Sequence, residues 1–523
     1  MNYYTPSQIL RIEEYLIETL EVPERLLMEN AGGASAKLID EFYPEASRAV
    51  ILTGPGKNGG DGFVAARHLQ SAGWSVQILS AVQEESIKGI SRINYDLVGK
   101  CGIPVLFSNS LSDIEIRSML TEHEVIVDGL LGIGSNGPPR GEISRLISLS
   151  RGLPCIVALD LPSGVDPQSG KILSQAISAE HTLTMIEAKT CLALSPGSDH
   201  SGQVTVVDLG FPNELELRPV LHSFTEDDAK SHLPSFHGDI HKGDRGGVLI
   251  IGGSEIYRGA PVLSARGFLR SGGGLAVLFS EDVCCSACAT SLPETIAVPG
   301  FPGAPKEKII ETITMWKNRA ECMVIGPGMG RSKRAGEAFL IALSAWDKKI
   351  IVDGDGLYWL GEFGTQCSRK GDMLLTPHEG EAARLLGLEP DEVKSERSAS
   401  VRKLAEKWGT VLLKGRETLV DDGRRSFLVA EGNRSLAVPG SGDVLAGISA
   451  FFISSGISIH PAASLAAFIH GRAGNRISTE KGLDGVLASE IADVVPQVLR
   501  EMRQNRFLQG FKRHNRENTG ATR

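Results

Sequence analysis

The chain has no run of about 18 uninterrupted apolar residues, and its opening, MNYYTPSQILRIEEYLIETL, lacks a basic stretch followed by an apolar one. A soluble, cytosolic protein without a membrane partner is therefore expected. Basic charge is scarce too: 54 Lys and Arg face 63 Asp and Glu, a net charge of −9, and the one basic cluster runs from Arg503 to Arg523. That disfavours a surface that coats nucleic acid. The eight cysteines show no paired CxxC or CxxC…HxxxH spacing, and Cys155 and Cys322 sit inside or beside apolar runs, so buried thiols are expected rather than zinc ligands. No GxxxxGK[ST] occurs, which sets aside a P-loop NTPase. Aromatics are scarce at 6% while glycines number 60, which points to many tight backbone turns.

At 523 residues the chain is roughly three times the commonest domain length, so two or more domains are expected. Short apolar runs ending in Gly, Asp or Pro alternate with helix-length segments, the pattern of an α/β fold with parallel sheets. A first series runs from Ala49–Thr53 to Val204–Val207, and a second from Val248–Ile251 to Leu436–Val438. Between them PNELELRPVLHSFTEDDAKSHLPSFH carries three prolines and no clean periodicity. The expected organisation is a domain over 1–212, a connecting segment over 213–235, a second domain over 236–505 and a disordered basic tail over 506–523. The two glycine-motif sets differ, so the halves are not repeats.

In the first half the strand Ala49–Thr53 leads into Gly54-Pro55-Gly56-Lys57-Asn58-Gly59-Gly60-Asp61-Gly62 and a helix-like FVAARHLQSAG. A strand, glycine turn and helix start offer free N–H groups and a helix dipole to an anion. Gly54, Gly56 and Gly59 satisfy GxGxxG, but the acidic residue expected about 20 positions on is missing, which argues against ordinary hydride transfer. Two further strands end in Asp128 and in Asp160-Leu161-Pro162-Ser163-Gly164. Asn58, Asp128, Asp160 and Ser163 would then meet at one sheet edge, an oxygen-rich pocket suited to a hard cation and to proton transfer. Each piece alone also reads as a helix cap or a tight turn.

In the second half Val438-Pro439-Gly440-Ser441-Gly442-Asp443 opens the apolar helix VLAGISAFFI. Backbone N–H groups at Gly440–Gly442 would stabilise a transferring phosphoryl group, and Asp443 beside them would accept a proton from a hydroxyl. Gly326-Pro327-Gly328-Met329-Gly330, Thr376-Pro377-His378-Glu379-Gly380-Glu381 and Lys414-Gly415-Arg416-Glu417-Thr418 each end a strand. With the GSGD turn they make a nucleotide site.

The motifs MENAGGA (28–34), GPGKNGGDGFVAARHL (54–69), VDGLLGIG (127–134), LDLPSGVD (159–166) and VTVVDLGFP (204–212) resemble the NAD(P)H-hydrate epimerase family in that family's order. The resemblance implies a Rossmann-like three-layer α/β/α fold that interconverts the R and S epimers of hydrated NADH and NADPH (NADHX and NADPHX). It implies potassium at Asn58, Asp128 and Ser163. Substrate would touch Lys57, Asn58, Gly59, Gly60, Asp61 and Asp160, under a loop of Gly132, Ile133, Gly134, Ser135, Asn136, Gly137 and Pro138. Asp160 would transfer the proton.

Likewise KGDRGGVLIIGGS (242–254), RGAPVLSARGFLRSGGG (258–274), LPE (292–294), VIGPGMG (324–330), TPHEGEAARLLG (376–387), VLLKGRETLV (411–420) and GSGDVLAGI (440–448) resemble the ADP- or ATP-dependent NAD(P)H-hydrate dehydratases, a branch of the ribokinase-like fold. This implies nucleotide contacts at Lys414, Gly415, Arg416, Glu417, Thr418 and Gly442, and substrate contacts at Ala260, Gly328, His378 and Asp443. Asp443 would be the base and magnesium would accompany ADP or ATP. Folded halves of this type commonly self-associate, so a homo-oligomer is a further expectation.

The chain departs from the two patterns at Lys57, where Asn is common, at Ile133, where Thr is, and in VDGDGL (352–357) with Tyr358 following and Glu379 in place of Pro. Two other readings stay open. One is a ribokinase-like small-molecule kinase carrying a non-catalytic N-terminal binding module. The other is an N-terminal module of the kind found in RNA-processing scaffolds, against which the acidic balance argues.

Overall fold

The structure, a computed structural model, describes residues 1–523 apart from 213–214, 216, 236–244, 368–371 and 520–523. It divides into two compact units, Met1–His222 and Ser223–Arg523.

In the first unit a seven-stranded sheet runs in the spatial order Val105–Phe107, Ser75–Ser80, Arg48–Thr53, Val125–Gly129, Ile156–Leu159, His181–Met185, Gln203–Val207, and each neighbouring pair is parallel. Alternate residues of a strand point to opposite faces, and both faces here are covered. Ala49 and Ile51 pack with Phe63, Leu69 and Trp74 on one side, and Val50 and Leu52 pack with Ile116, Leu120 and Leu146 on the other. Helices on both faces give three layers. From Arg48–Thr53 the chain first builds toward Val105–Phe107, then returns to add Val125–Gly129 on the other flank. That reversal opens a crevice beyond the carboxyl ends of these strands.

In the second unit the strands run Ile296–Pro299, Leu275–Ser280, Gly247–Ile251, Cys322–Ile325, Lys349–Val352, Met373–Leu375, Thr410–Leu413, all parallel, followed by the antiparallel Thr418–Asp421 and Ser426–Val429. Order reverses between Gly247–Ile251 and Cys322–Ile325, again at the foot of a glycine-rich turn. Phe268, Phe451, Phe452 and Phe468 fill one face against Val248, Leu278, Val324 and Leu412. The helix Ser441–Ser454 is buried continuously from Val444 to Ser454, as its apolar sequence requires. Gly447 allows that depth, because a Cβ there would lie 2.0 Å from the Ser264 carbonyl oxygen. The helix that begins in the GSGD turn is thereby pinned.

Three sequence expectations are corrected. Residues 213–235 do more than connect: Phe224, Ala229 and Leu233 join the second core, with Glu226–His232 a helix capped by Thr225. The glycine segment from Lys57 to Gly62 is not a turn ahead of a helix, since the helix starts at Lys57. Residues 436–438 form no strand, because the Asn433 side chain accepts from the Ser435 N–H at 2.9 Å and tightens a 3-10 turn over Arg434–Leu436. The tail expected over 506–523 falls on the last part of the helix Ala488–Thr519, and 520–523 lie outside the described residues. Lys242, Gly243 and Asp244 lie outside them as well. The eight cysteines are unpaired thiols, six of them buried. Among the described residues no helix is long and apolar enough to cross a membrane.

Candidate active sites

The crevice of the first unit is a cavity of about 460 Å³ with apolar walls from Ile9, Leu10, Leu27, Met28, Ile133 and Met185. Its charged lining is Glu13, Glu24, Lys57, Asp61, Asp160 and Lys189. Of the residues expected from sequence it gathers Lys57, Asn58, Asp61, Gly132, Ile133, Gly134, Ser135 and Asp160. Gly59, Gly60, Asn136, Gly137 and Pro138 are not among its lining residues. Gly59 packs on the Gly54 carbonyl and Gly60 on Met28, so both serve close approach of the helix. Gly56 caps that helix with no side-chain bond, which leaves its first-turn N–H groups for a ligand anion.

Asp160 sits just past the strand Ile156–Leu159 with φ +66°, a conformation that non-glycine residues rarely adopt. Its Oδ2 accepts from the Ile133 N–H at 2.9 Å, and its Oδ1 lies 2.6 Å from Lys189 Nζ. Lys189 is 1% exposed and also donates to Thr184 Oγ1 at 2.9 Å and the Met185 carbonyl at 2.7 Å. Sequence reasoning missed Lys189. It lies 29 positions from Asp160 in an unremarkable EAKTC, on the short strand Ala188–Lys189, which pairs with Asn2–Tyr4 and not with Ile156–Leu159, so no local pattern marks the contact.

Asn58, Asp128 and Ser163 do converge. Ser163 donates to Asp128 through its N–H at 2.8 Å and its hydroxyl at 2.7 Å. Asn58 Nδ2 donates to the carbonyls of Leu131 at 2.8 Å and Leu159 at 3.1 Å. Burial pushes the Asp128 carboxyl up to about 6 against those bonds. Asn58 Oδ1 is buried with no hydrogen-bond partner among the described residues. An orphaned amide oxygen beside a desolvated carboxylate fits a bound monovalent cation with oxygen ligands. Among the described residues no cluster of three or more His, Cys, Asp or Glu is placed to hold a metal.

Lys57 makes ion pairs with Glu13 and Glu24, each at 2.7 Å. Burial opposes its charge, but the two carboxylates hold it above the ordinary lysine value.

In the second unit the turn at Gly440 takes φ +87° and delivers Ser441 to the start of the buried helix. Ser441 Oγ lies 3.1 Å from His470 Nε2, and burial lowers His470 to about 4, so it is neutral at pH 7. Asp443 follows in the first turn. Lys414 Nζ reaches this turn closely, for a Cβ on Gly442 would lie 3.1 Å from it. Lys414 also meets Asp353 at 3.0 Å and Glu381 at 3.9 Å, and Thr376 Oγ1 donates to Asp353 at 2.7 Å. Burial, with the negative charges of Asp353, Glu381 and Asp355, pushes Asp443 well above the usual carboxyl range despite Lys414.

Ala260 and Gly328 are neighbours: a Cβ on Gly328 would lie 3.0 Å from that of Ala260 and 2.7 Å from the Tyr257 carbonyl oxygen. Exposed His378 caps the helix Glu379–Leu386, its Nδ1 accepting from the Gly380 N–H at 3.0 Å. The Lys414 N–H donates to the Pro377 carbonyl at 2.8 Å, which ties the loop holding His378 to the loop holding Lys414. Thr418 opens the strand Thr418–Asp421, and Glu417 is buried.

Arg397 was also missed from sequence. Buried, it pairs through Nη1 with Glu379 and donates through Nη2 to the carbonyls of Leu413 at 3.4 Å, Lys414 at 3.3 Å and Glu417 at 2.9 Å. Glu379, the departure from the usual Pro, is therefore the carboxylate that anchors an arginine under the Lys414–Thr418 loop. Arg397→Met is expected to raise the nucleotide KM roughly tenfold while leaving the other substrate's KM unchanged, measured by initial rates with each substrate varied in turn.

Two parallel α/β units, each with a polar site at its reversal of strand order, define an enzyme with two active centres: one built for proton transfer, the other for phosphoryl transfer next to a base. Residues 24–191 match the family described as YjeF-related protein N-terminus, and residues 248–497 the family described as NAD(P)H-hydrate dehydratase. The bifunctional NAD(P)H-hydrate repair enzyme of Thermanaerovibrio acidaminovorans is 37% identical over 95% of this chain and 98% of its own length. Those of Thermofilum pendens and Pyrobaculum aerophilum are 32% and 36% identical, covering 95% and 94% of this chain and 96% and 98% of theirs. The chain belongs to the family of bifunctional NAD(P)H-hydrate repair enzymes.

Proposed function

We propose that the first site interconverts the R and S epimers of NADHX and NADPHX, and that the second dehydrates the S form using ADP or ATP, releasing phosphate and AMP or ADP. The observation that carries the second assignment is Asp443 placed in the first turn behind Gly440–Gly442, with Lys414 at the same turn. A hydrate carries a hydroxyl on the ring carbon beside nitrogen. Asp443 takes its proton as the oxygen attacks the terminal phosphorus, while the turn amides and Lys414 face the charge that develops there. The phosphate ester is a better leaving group than hydroxide. It departs as the ring nitrogen donates its electron pair, and loss of a proton from the adjacent ring carbon restores the dihydronicotinamide.

In this reading Ala260, Gly328 and His378 contact the substrate, and Lys414–Thr418 with Gly442 take the nucleotide. Magnesium, when bound with the nucleotide, would neutralise phosphate charge. In the first unit Asn58, Asp128 and Ser163 would hold potassium, which when bound supplies a fixed positive charge near the ligand.

The test supplies the full chain with mixed R and S NADPHX, magnesium, potassium and ADP or ATP, and follows recovery of reduced-cofactor absorbance. Complete recovery with release of free phosphate is expected. A stable phosphorylated product would instead identify a small-molecule kinase, and recovery that halts when the S form is consumed would mark the first unit as a binding module.

A further inference from the structure

We propose that Asp61 and Asp160 form the acid and base of the first site, and that Lys189 is the positioning residue that holds Asp160 as the base. This rests on the epimerase reading and assigns its proton traffic. Both carboxyls line the same cavity, yet their surroundings are opposite. Asp160 is fixed at both oxygens, by the Lys189 ammonium at 2.6 Å and the Ile133 N–H at 2.9 Å. Asp61 has no hydrogen bond or ion pair on its carboxyl among the described residues.

The charged groups that face Asp61 come from every wall. Glu13 and Glu24 project from the helices Pro6–Glu14 and Glu24–Phe42, Lys57 from Asp61's own helix, Asp160 from the strand end and Lys189 from the strand Ala188–Lys189. The two lysines are committed elsewhere, Lys57 to Glu13 and Glu24, Lys189 to Asp160. Burial, then the charges of Asp160 and Glu13, push the Asp61 carboxyl well above its ordinary range. Of two carboxyls on one cavity, the one held by an ammonium and an N–H suits the base and the one without such partners suits the acid.

The step balances without a redox partner. Asp61 gives its proton to the ring hydroxyl, the C–O bond breaks, water leaves and the ring nitrogen's pair forms a C=N bond. Water then adds to the same carbon on the other face, its proton passes to Asp160, and the pair returns to nitrogen. Conversion in the opposite direction runs the two carboxyls in reverse order, and between turnovers in one direction the proton returns from Asp160 to Asp61 through solvent water. Lys189, whose three N–H groups are spent on Asp160, Thr184 and Met185, acts through Asp160 and does not touch the substrate.

The experiment uses the full chain with (R)-NADPHX in ¹⁸O-water without nucleotide, following epimer ratio and isotope uptake. Wild type is expected to epimerise with ¹⁸O entering the ring hydroxyl and with a rate that falls on the alkaline side as Asp61 ionises. Asp61→Asn is expected to lose at least a hundredfold, and Asp61→Glu to regain part of it with a shifted alkaline limb. Lys189→Met is expected to lose a similar factor and Lys189→Arg to recover much of it. Calorimetry of the first unit's transition in the same preparations reports that this unit is folded. Asp61→Asn within threefold of wild type, or an unshifted alkaline limb in Asp61→Glu, would overturn the assignment of Asp61. Full activity in Lys189→Met would overturn that of Lys189. A wild type that leaves the R epimer untouched would overturn the epimerase reading itself.

Discussion

Asp443→Asn is expected to reduce nucleotide-dependent dehydration roughly 10²–10⁴-fold while nucleotide still binds. The amide keeps the shape of the carboxylate but cannot accept the hydroxyl proton. The Gly440–Gly442 turn, Lys414 and the Arg397-anchored loop are untouched by the change, so the anion hole persists. Stability should not fall. Asp443 is one of three carboxyls gathered around Lys414, and burial together with Asp353 and Glu381 already disfavours its charge, so a neutral residue relieves repulsion. The measurement is the initial rate of reduced-cofactor recovery from the S hydrate, with nucleotide affinity by calorimetry and unfolding by scanning calorimetry. Activity above a tenth of wild type would remove Asp443 from the role of base. Loss of nucleotide affinity in proportion to rate would recast it as a binding residue.

The same network shows what could be read from sequence and what could not. Asp128 closes the strand Val125–Gly129, Asp160 and Ser163 follow Ile156–Leu159 and Asn58 follows Arg48–Thr53, so the local pattern places these four at the carboxyl ends of parallel strands, whereas Asp443 is marked by its GSGD turn at a helix start. Their oppositely charged partners carry no such mark. Lys414 was visible as the end of VLLKG, but that it would sit against Asp353, 61 positions earlier, depends on the strands Lys349–Val352 and Thr410–Leu413 flanking Met373–Leu375 in one sheet. Asp353 was noticed only as part of an unusual VDGDGL. Arg397 lies in ERSASVRKLAEKW, a segment that reads as a polar surface helix, yet Arg397 is turned inward to bind strand-end carbonyls. Side chains that satisfy buried acceptors are chosen by tertiary position, which short-range periodicity does not encode.

The helix starts were legible in type and misplaced in register. Glycine was read as a break after Gly54, whereas Lys57-Asn58-Gly59-Gly60-Asp61 is already helical. Glycine ordinarily weakens a helix by about 1 kcal/mol relative to alanine. Here that cost buys contact: a Cβ on Gly59 would lie 2.2 Å from the Gly54 carbonyl oxygen, so no larger residue fits and the helix begins inside the phosphate-loop-like turn. One consequence is that Lys57, Asn58 and Asp61 share the cavity-facing side of a single helical turn.

Asp160→Asn is expected to abolish epimerisation and to destabilise the first unit by about 3 kcal/mol, the low end of the range for orphaning one member of a buried ion pair. Lys189 is 1% exposed, and without Asp160 its ammonium keeps only the neutral acceptors Thr184 Oγ1 and the Met185 carbonyl. For a unit of this size that loss corresponds to roughly 6–12 °C in the Tm of the first unit's transition. The double variant Asp160→Asn with Lys189→Met removes both charges and is expected to recover most of the stability and none of the activity, because a neutral pair has no buried ion to strand and also no base. Calorimetry on the full chain reads the first, and the R-to-S conversion rate reads the second. Additive destabilisation in the double variant would mean that the two residues are held independently and that the 2.6 Å contact contributes no coupling. Recovery of stability together with inactivity separates the two jobs of Asp160, as partner of a buried lysine and as the group that handles the proton.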